Sequence, residues 1–441
     1  MARGKRPAGA VWVCAAGALV LSGGLHGAAA QQGATAQQGG AQLPAPSGVF
    51  QVGRTSLHWV DPSRTDPFAR RLATRREVMV YVWYPTDRGV TGRRAPYVPH
   101  VDAIAHALGD SLMRDEFGAA LPRVLAGDVD SYALDWPPLA RARPRYPVLV
   151  FSPGFGETSL TYAAQLTDLA SHGFVVFAIE HPSDAFAVWL PDGRVVPFAA
   201  SSWDSARQRP TGAVAYQLAQ VPVRADDMRF VLDRVTGLDA RPAPRNPFAH
   251  RLDLGRVGAF GHSLGGVAAA DACRVDARIR ACANEDADDE GRPFAGGPAA
   301  HLIKQPFLFF ASGHSIYVSA RTPPPTAQAL DRMKLTRAQY DSITALYQHN
   351  QDEALARMPG GAERVMAEAA TFTHRTFIDL KLLQAADTSA REEQRHDLDL
   401  VRAYLRAFFD RTLADTADSG GPPPPTDSII TVEHFGGTAP H

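Results

Sequence analysis

Uninterrupted apolar runs recur along the chain between about residue 50 and residue 410. Five such runs, rich in β-branched and aromatic residues, are 78–84 (VMVYVWY), 148–152 (VLVFS), 175–179 (VVFAI), 257–260 (VGAF) and 307–311 (FLFFA). Runs of this kind are typical of strands that are buried on both faces. Between them, apolar residues recur at helical spacing, as at Met228, Val231, Leu232 and Val235. Strands alternating with helices predict an α/β fold with a mostly parallel central sheet.

The two ends of the chain lack this pattern. Residues 31–48 consist mostly of Gln, Gly, Ala and Pro, and we expect a flexible linker there. Residues 414–441 begin with a Pro- and Gly-rich stretch and are predicted to be a linker and tail. The folded domain is therefore predicted to span 49–413, and no repeat of fixed period is visible in it.

The first thirty residues have the organisation of a secretory signal peptide. A basic start with Arg3, Lys5 and Arg6 precedes an apolar stretch, and Ala28-Ala29-Ala30 supplies small residues for cleavage near Gln31. The alternative is a membrane anchor, but the apolar stretch is broken by glycines and falls short of the roughly 20 residues needed to span a bilayer. We expect export to the periplasm or the extracellular space.

The amino-acid composition of the chain excludes several classes of function and of metal site. The 441 residues carry 45 Lys+Arg and 46 Asp+Glu, so no basic surplus points to nucleic acid. The chain has only three cysteines, which excludes a disulfide-built mini-fold and a four-cysteine zinc site. Cys14 leaves with the signal peptide. Cys273 and Cys282 would then form a disulfide or remain as two buried thiols.

A pentapeptide between a strand and a helix predicts a nucleophile. Gly261-His262-Ser263-Leu264-Gly265 follows the run at 257–260 and precedes a helix-like segment. This is the context of a nucleophile elbow, where flanking glycines permit a tight turn that exposes the serine Oγ. Leu264 N–H, at the helix start, is placed to donate to an oxyanion.

The second oxyanion donor is expected in the loop after 148–152. Pro153-Gly154-Phe155-Gly156 keeps the backbone accessible, and Phe155 N–H is the predicted donor. The alternative is a plain glycine turn between strand and helix.

The acid of a triad is expected after the elbow, at the end of one of the next two strands. The run at 307–311 is followed by no carboxylate until Asp331, so the acidic cluster at 285–290 must supply it. Asp286, at the strand tip, is the first choice and Asp288 the alternative. The cluster begins like a calcium-binding EF-hand loop, but its twelfth position is Gly297 rather than Glu, and we expect no metal.

The base must be a histidine that follows the acid. His374 lies just after a strand-like segment at 364–369, where the last core strand should end. His314 is the alternative, in the loop after 307–311. The side chain of His262 is expected to point away from the Oγ of Ser263.

An insertion separates the run at 307–311 from the segment before His374. Within 315–359, Thr336 and Gln339 have the spacing of a capping box, and apolar residues follow at helical spacing. We expect helices that form a lid over the acyl pocket. The alternative is that they pack on the flank of the sheet.

With these motifs assembled, the chain resembles the platelet-activating factor acetylhydrolases of the plasma, or type II, class, especially bacterial secreted relatives. The segments that carry the resemblance are 76–85 (REVMVYVWYP), 146–156 (YPVLVFSPGFG), 168–181 (DLASHGFVVFAIEH), 261–266 (GHSLGG) and 374–380 (HRTFIDL). The resemblance spans about residues 50–410. The chain departs from the family at Pro153, where the family has His, and in a longer segment before His374.

The resemblance implies an α/β-hydrolase fold and a Ser-Asp-His triad, which match Ser263, Asp286 and His374 in order and spacing. It also implies calcium-independent release of short or oxidised acyl chains from phospholipids, without a cofactor and with transient contact to a membrane or micelle. The alternatives are an esterase acting on a polyester, lactone or small aryl or alkyl ester, or an inactive hydrolase fold used for binding. The sequence gives no indication of oligomeric state.

Overall fold

The computed structural model describes residues 42–69, 74–209, 212–242, 246–287, 302–313, 326–333, 335–413 and 423–436. The predicted signal peptide lies outside these residues and stays a prediction. No helix in the described ranges is both long and apolar enough to cross a bilayer.

Among the described residues, the central feature is a sheet of eleven strands. In chain order the strands of the molecule are β1 Gln51–Thr65, β2 Arg75–Thr86, β3 Arg94–Pro96, β4 Asp130–Asp135, β5 Tyr146–Ser152, β6 Val175–Glu180, β7 Ala187–Trp189, β8 Val195–Pro197, β9 Leu252–His262, β10 Ile279–Glu285, β11 Phe307–Ser312, β12 Ala362–Ala367 and β13 Ile430–Phe435. Across the large sheet the order is β13-β12-β11-β10-β9-β5-β6-β2-β1-β4-β3, while β7 and β8 form a separate hairpin.

Six neighbouring strands of this sheet are parallel. They run from β12 through β11, β10, β9 and β5 to β6, and β2 joins β6 in the antiparallel sense. Every residue of β5 and β6 is buried, as expected for strands covered on both faces. The predicted mostly parallel α/β sheet is therefore confirmed.

Helices cover both faces of the sheet. They are α1 Val101–Leu108, α2 Asp110–Phe117, α3 Leu121–Ala126, α4 Ala163–Ser171, α5 Ala200–Arg207, α6 Gly212–Ala240, α7 Leu264–Val275, α8 Ala327–Met333, α9 Arg337–Ala356, α10 Asp379–Leu383 and α11 Thr388–Leu413. One core joins the sheet to α4 and α11, and the other joins it to α6 and α7. These two layers hold the strand ends, and the loops that follow them, in fixed positions.

Both ends of the domain extend further than the sequence predicts. Residues 42–48, expected to belong to a flexible linker, lie against the domain. Leu43 is buried, and Ser47 donates from N–H and Oγ to the Asp168 carboxylate. Residues 430–435, expected to belong to a tail, form β13 and pair with β12. The segments next to residues 42–48 and 430–435 contain few apolar side chains, so the sequence does not indicate that either end packs against the domain.

The predicted capping box is present at the start of α9. Thr336 and Gln339 exchange the reciprocal bonds that satisfy the first free N–H groups of the helix. At its other end, Leu355 in the last turn and Met358 just after the helix are buried in the core shared with α6 and α7, while Leu346 is 49% exposed. The end of the insertion thus packs on the flank of the sheet, as in the alternative to a lid. Residues 314–325 lie outside the described ranges.

Cys273 and Cys282 form a disulfide that ties α7 to β10. Both cysteines are buried. The bond therefore fixes the helix that follows the predicted nucleophile against the strand that carries the predicted acid.

We expect no alkylation of denatured, unreduced protein that begins at Gln31, and two adducts after reduction, as read by intact mass. Reduction should lower the free energy of unfolding by about 2–3 kcal/mol, because a cross-link over a short loop restricts the unfolded chain. The doubly substituted Cys273→Ala, Cys282→Ala protein is the control, whose stability should not respond to reductant. Two adducts without reduction would contradict the bridge.

Candidate active site

The carboxyl ends of the parallel strands meet at one edge of the sheet. Ser152 ends β5, His262 ends β9, Glu285 ends β10 and Ser312 ends β11. Because the strands are parallel and in register, the loops after them share this edge. The candidate residues therefore gather from distant parts of the sequence.

Ser263 occupies a strained turn between β9 and α7. Its φ of 53° and ψ of −130° lie in a region that residues other than glycine rarely adopt. Ser263 N–H donates to Glu285 O at 2.8 Å, and Ser263 O accepts from Gly266 N–H at 2.8 Å. A Cβ on Gly265 would lie 2.0 Å from Ser152 O, so only glycine permits this approach. The turn has the form predicted for a nucleophile elbow.

Asp286 and His374 are brought together as an acid and base pair. Asp286 Oδ2 lies 2.8 Å from His374 Nδ1. Asp286 has a φ of 54°, is 4% exposed, and its N–H donates to Phe310 O. Its carboxylate also accepts from Ser312 N–H and Ser312 Oγ. With Nδ1–H held by the carboxylate, Nε2 of His374 is left to accept a proton.

The main chain of His374 is also held in place. His374 begins a short 3₁₀ turn, His374–Phe377, whose start is capped by Thr373 and Thr376. His374 O lies 3.0 Å from Nε2 of His262, the neighbour of Ser263, and the two imidazole ring centroids are 4.5 Å apart. The side chain of His262 is thus held in the interior, and its expected direction away from the Ser263 Oγ stays a prediction. The alternatives His314 and Asp288 lie outside the described residues.

The two backbone N–H groups predicted as oxyanion donors both lie near the elbow, and their role stays a prediction. Leu264 is the first residue of α7, and Phe155 lies in the loop after β5. Neither N–H has a hydrogen-bond partner among the described residues, whereas Gly154 N–H, beside them, donates to the Tyr162 hydroxyl at 3.0 Å. The loop and the helix start therefore present free donors near the elbow.

A family model described as platelet-activating factor acetylhydrolase, isoform II, matches residues 35–314, more than half of the chain. The chain belongs to this family. The resemblance read from the sequence motifs is thereby confirmed.

Curated relatives carry related names. A protein of Arthroderma benhamiae, named probable 1-alkyl-2-acetylglycerophosphocholine esterase, is 28% identical over 272 residues, covering 60% of this chain and 64% of that one. The platelet-activating factor acetylhydrolase of Canis lupus familiaris is 29% identical over 159 residues, covering 33% and 36%. The chain thus spans less than two thirds of the length of these relatives.

A solved structure extends the similarity to nearly the whole fold. It is a ferulic acid esterase from Streptomyces cinnamoneus, with a TM-score of 0.59 and 27% identity, covering 89% of this chain and 99% of that one. Together with the family match, this confirms the expected α/β-hydrolase fold.

A series of hydrogen bonds, which the sequence does not predict, links residues 153–156 to His374. We call residues 153–156 the oxyanion loop. A carbonyl can only accept, so Nε2 of His262 donates to His374 O, and Nδ1 accepts from the Tyr162 hydroxyl at 2.8 Å. That hydroxyl in turn accepts from Gly154 N–H. Burial lowers the pKa of His262 and raises the pKa of Tyr162, so both remain neutral and keep these roles. The only signal in the sequence is His262 inside the elbow motif.

A second Ser-His-Asp arrangement lies beneath the oxyanion loop. Ser152 Oγ is 2.9 Å from His181 Nε2, and His181 Nδ1 is 2.8 Å from Asp227 Oδ2. All three side chains are fully buried, and burial lowers the pKa of His181 to about 4. Because the serine is buried, the arrangement is a structural hydrogen-bond network rather than a second active site.

Aromatic side chains surround Phe155. Its ring centroid lies 5.0 Å from Trp203, 5.3 Å from Phe198 and 6.2 Å from Tyr216. We call these four residues the aromatic cluster; each is partly exposed. Phe155 also packs against an apolar group that includes Leu264. Both residues with oxyanion donors thus border one apolar surface.

Replacing Asp286 with Asn should lower kcat by roughly 10³–10⁴, because the His374 tautomer is no longer fixed. Replacing Ser312 with Ala should cost less, about 10- to 100-fold, since one hydrogen bond to a carboxylate is worth about 1.5–3 kcal/mol and Ser312 N–H still donates to Asp286. Steady-state hydrolysis of p-nitrophenyl acetate measures both.

Asp276→Asn is the matched control, because Asp276 pairs with Arg278 at the opposite end of β10. This variant should keep its kcat. Full activity in the Asp286→Asn variant would remove Asp286 from the site.

Proposed function

We propose that the protein is a serine carboxylic-ester hydrolase that works through an acyl-enzyme. The observation that carries the proposal is the Asp286–His374 pair at 2.8 Å beside the strained elbow of Ser263. An intact acid, base and nucleophile in this order argues against an inactive hydrolase fold that serves only in binding.

In the proposed reaction, His374 Nε2 takes the proton of Ser263 as its Oγ attacks the ester carbonyl. The oxyanion accepts hydrogen bonds from Phe155 N–H and Leu264 N–H. His374 then returns the proton to the departing alcohol, which leaves an ester between Ser263 and the acyl group. Water, deprotonated by His374, releases the carboxylic acid and restores the serine. Asp286 stabilises the imidazolium formed in each half of the cycle.

We propose short or oxidised acyl esters of phospholipids as the substrate. The family match and the name of the relative from Arthroderma benhamiae support this class. No step of the proposed reaction requires a cofactor or metal. Because such substrates form micelles and membranes, the proposal includes transient contact with a lipid surface.

A second candidate substrate is an ester with an aromatic group. The aromatic cluster favours it, because stacked or edge-to-face rings stabilise a bound aryl group beside the oxyanion donors. The solved structure titled ferulic acid esterase covers most of this chain and supports the same alternative.

The two candidates are separated by kcat/KM on one panel of substrates. The panel contains p-nitrophenyl esters of increasing acyl length, a 2-acetyl phospholipid below and above its critical micelle concentration, and methyl ferulate. We expect the highest values for acetyl and butyryl esters and clear turnover of the 2-acetyl phospholipid. A Trp203→Ala variant should lower activity on methyl ferulate more than on p-nitrophenyl acetate, since it removes one face of the aromatic cluster.

Ser263→Ala is the control and should abolish all of these activities. If methyl ferulate surpassed the acetyl phospholipid by more than tenfold, the aryl ester would replace the phospholipid as the substrate. Lack of hydrolysis across the panel by folded wild-type protein would reject the esterase proposal.

We further propose export by way of the N-terminal signal peptide. The basic start, the apolar stretch and the small residues at 28–30 support it. The Cys273–Cys282 disulfide also suits an oxidising compartment. N-terminal sequencing of protein expressed from the full chain should give a start near Gln31, whereas an intact N-terminus in the cytosol would contradict export.

A further inference from the structure

We propose that Arg224 is a positioning residue for the oxyanion hole, which orients and polarises Phe155 N–H through the carbonyl of Gly154. The inference rests on the proposed esterase function. It concerns a side chain that lies on α6, far in sequence from the elbow, the acid and the base.

The guanidinium of Arg224 spans the start of the oxyanion loop. Nη1 donates to Pro153 O and, at 3.3 Å, to Ser152 Oγ, while Nη2 donates to Gly154 O at 3.1 Å. Nε donates to the Asp184 carboxylate, which forms an ion pair with the guanidinium. Arg224 is 1% exposed, so its planar fork is fixed by four buried acceptors rather than by water.

Gly154 O accepts from Arg224 Nη2 and, at 3.2 Å, from Glu157 N–H. The direction of this carbonyl determines where Phe155 N–H points. The two groups belong to the same peptide unit, and in a planar trans peptide the C=O and N–H point in opposite directions. Holding the carbonyl toward Arg224 therefore directs the Phe155 N–H away from it. This N–H is also the amide of the loop that has no acceptor among the described residues.

The neighbouring amides are fixed by other partners. Gly154 N–H donates to the Tyr162 hydroxyl, and Gly156 N–H donates to Asp184 Oδ1 at 3.4 Å. Pro153 has no N–H. Arg224 and Asp184 thus bind the loop on both sides of Phe155, so the peptide that carries the donor cannot turn over without breaking the buried hydrogen bond from Arg224 Nη2 to Gly154 O.

The charge of Arg224 adds a second effect. A cation bound to a peptide carbonyl draws electron density from the amide and makes its N–H a better donor. Because the pair is buried, this polarisation is weakly screened by solvent. The donor is therefore both aligned and strengthened before any substrate arrives, which is the arrangement that stabilises a transition state most.

Arg76 provides a matched comparison in the same buried region. It is also 1% exposed, it pairs with Asp227 and Asp66, and it donates to Pro182 O. It makes no contact with residues 153–156 among the described hydrogen bonds. If both buried arginines act only in folding, replacing either one should have the same effect on the melting temperature and on kcat.

The experiment compares Arg224→Lys with Arg76→Lys. Both variants should lower the melting temperature, since lysine cannot reproduce the fork of arginine. In Arg224→Lys we expect kcat for p-nitrophenyl acetate to fall by about 10- to 100-fold, with KM changed less than about threefold, because only an interaction made in the transition state is weakened. In Arg76→Lys, kcat should stay within about threefold of the wild type.

A second readout isolates the oxyanion. A trifluoromethyl ketone forms a hemiketal with Ser263 whose oxyanion occupies the same position as in the reaction. Its Ki should rise by the same factor as kcat falls in Arg224→Lys, and should not change in Arg76→Lys. A variant that is only less stable should not show a rise in Ki that equals its fall in kcat.

The proposal is overturned if folded Arg224→Lys keeps its kcat, if KM takes the whole loss, or if Arg76→Lys loses kcat equally. Should Arg224→Lys not fold, Asp184→Asn decides instead, because it loosens the guanidinium while leaving it in place. That variant should lose kcat by about three- to tenfold at constant KM, and an unchanged kcat refutes the role. Failure of the proposed function is distinct, since it leaves the wild type inactive on every ester.

Discussion

The site depends on hydrogen bonds that extend the parallel ladder just past the ends of its strands. Ser263 N–H donates to Glu285 O, and Asp286 N–H donates to Phe310 O. Each bond joins a residue with positive φ to the neighbouring strand, so the strain at Ser263 and at Asp286 is borne by the same sheet. The register between β9 and β10, in which His262 faces Glu285, therefore sets the position of Asp286 relative to Ser263.

The other contacts of the site supply hydrogen-bond partners for polar groups that are buried at this edge of the sheet. Asp286 accepts hydrogen bonds from Ser312 and His374, and Arg224 is paired with Asp184. A buried charge without such partners would cost several kcal/mol. The hydrogen-bond partners that stabilise these buried groups also hold them in fixed positions. The result is a rigid arrangement of donors and acceptors at the carboxyl edge of the sheet.

The sequence predicts the parts of this arrangement that are local. The buried strands appear as apolar runs, and the elbow is a contiguous motif that requires glycine at Gly265 because of one close backbone contact. Asp286 and His374 are found because chain order in an α/β-hydrolase restricts the candidates. Each of these depends on neighbours in the sequence or on a rule of topology.

What the sequence does not predict depends on contacts across the fold. Nothing in the residues around Arg224 on α6 marks it in the sequence, and the role that we propose for it depends on its contact with Gly154. Tyr162 reaches His262 across 100 residues of chain. The helices of the insertion were expected near the acyl pocket, yet Leu355 lies in the flank core, because an apolar stripe indicates burial but not the surface that provides it.

The strand β13 has a consequence for the outer boundary of the sheet. It pairs with β12 in the antiparallel sense over six residues and follows the Pro-rich stretch after α11. Without it, β12 would present a row of unpaired backbone groups, which invites pairing with another molecule. Residues 430–435, which the sequence predicts to belong to a tail, thus cover this edge of the sheet and protect it against edge-to-edge aggregation. Proteolysis between α11 and β13 would leave the catalytic groups untouched while making the protein prone to associate.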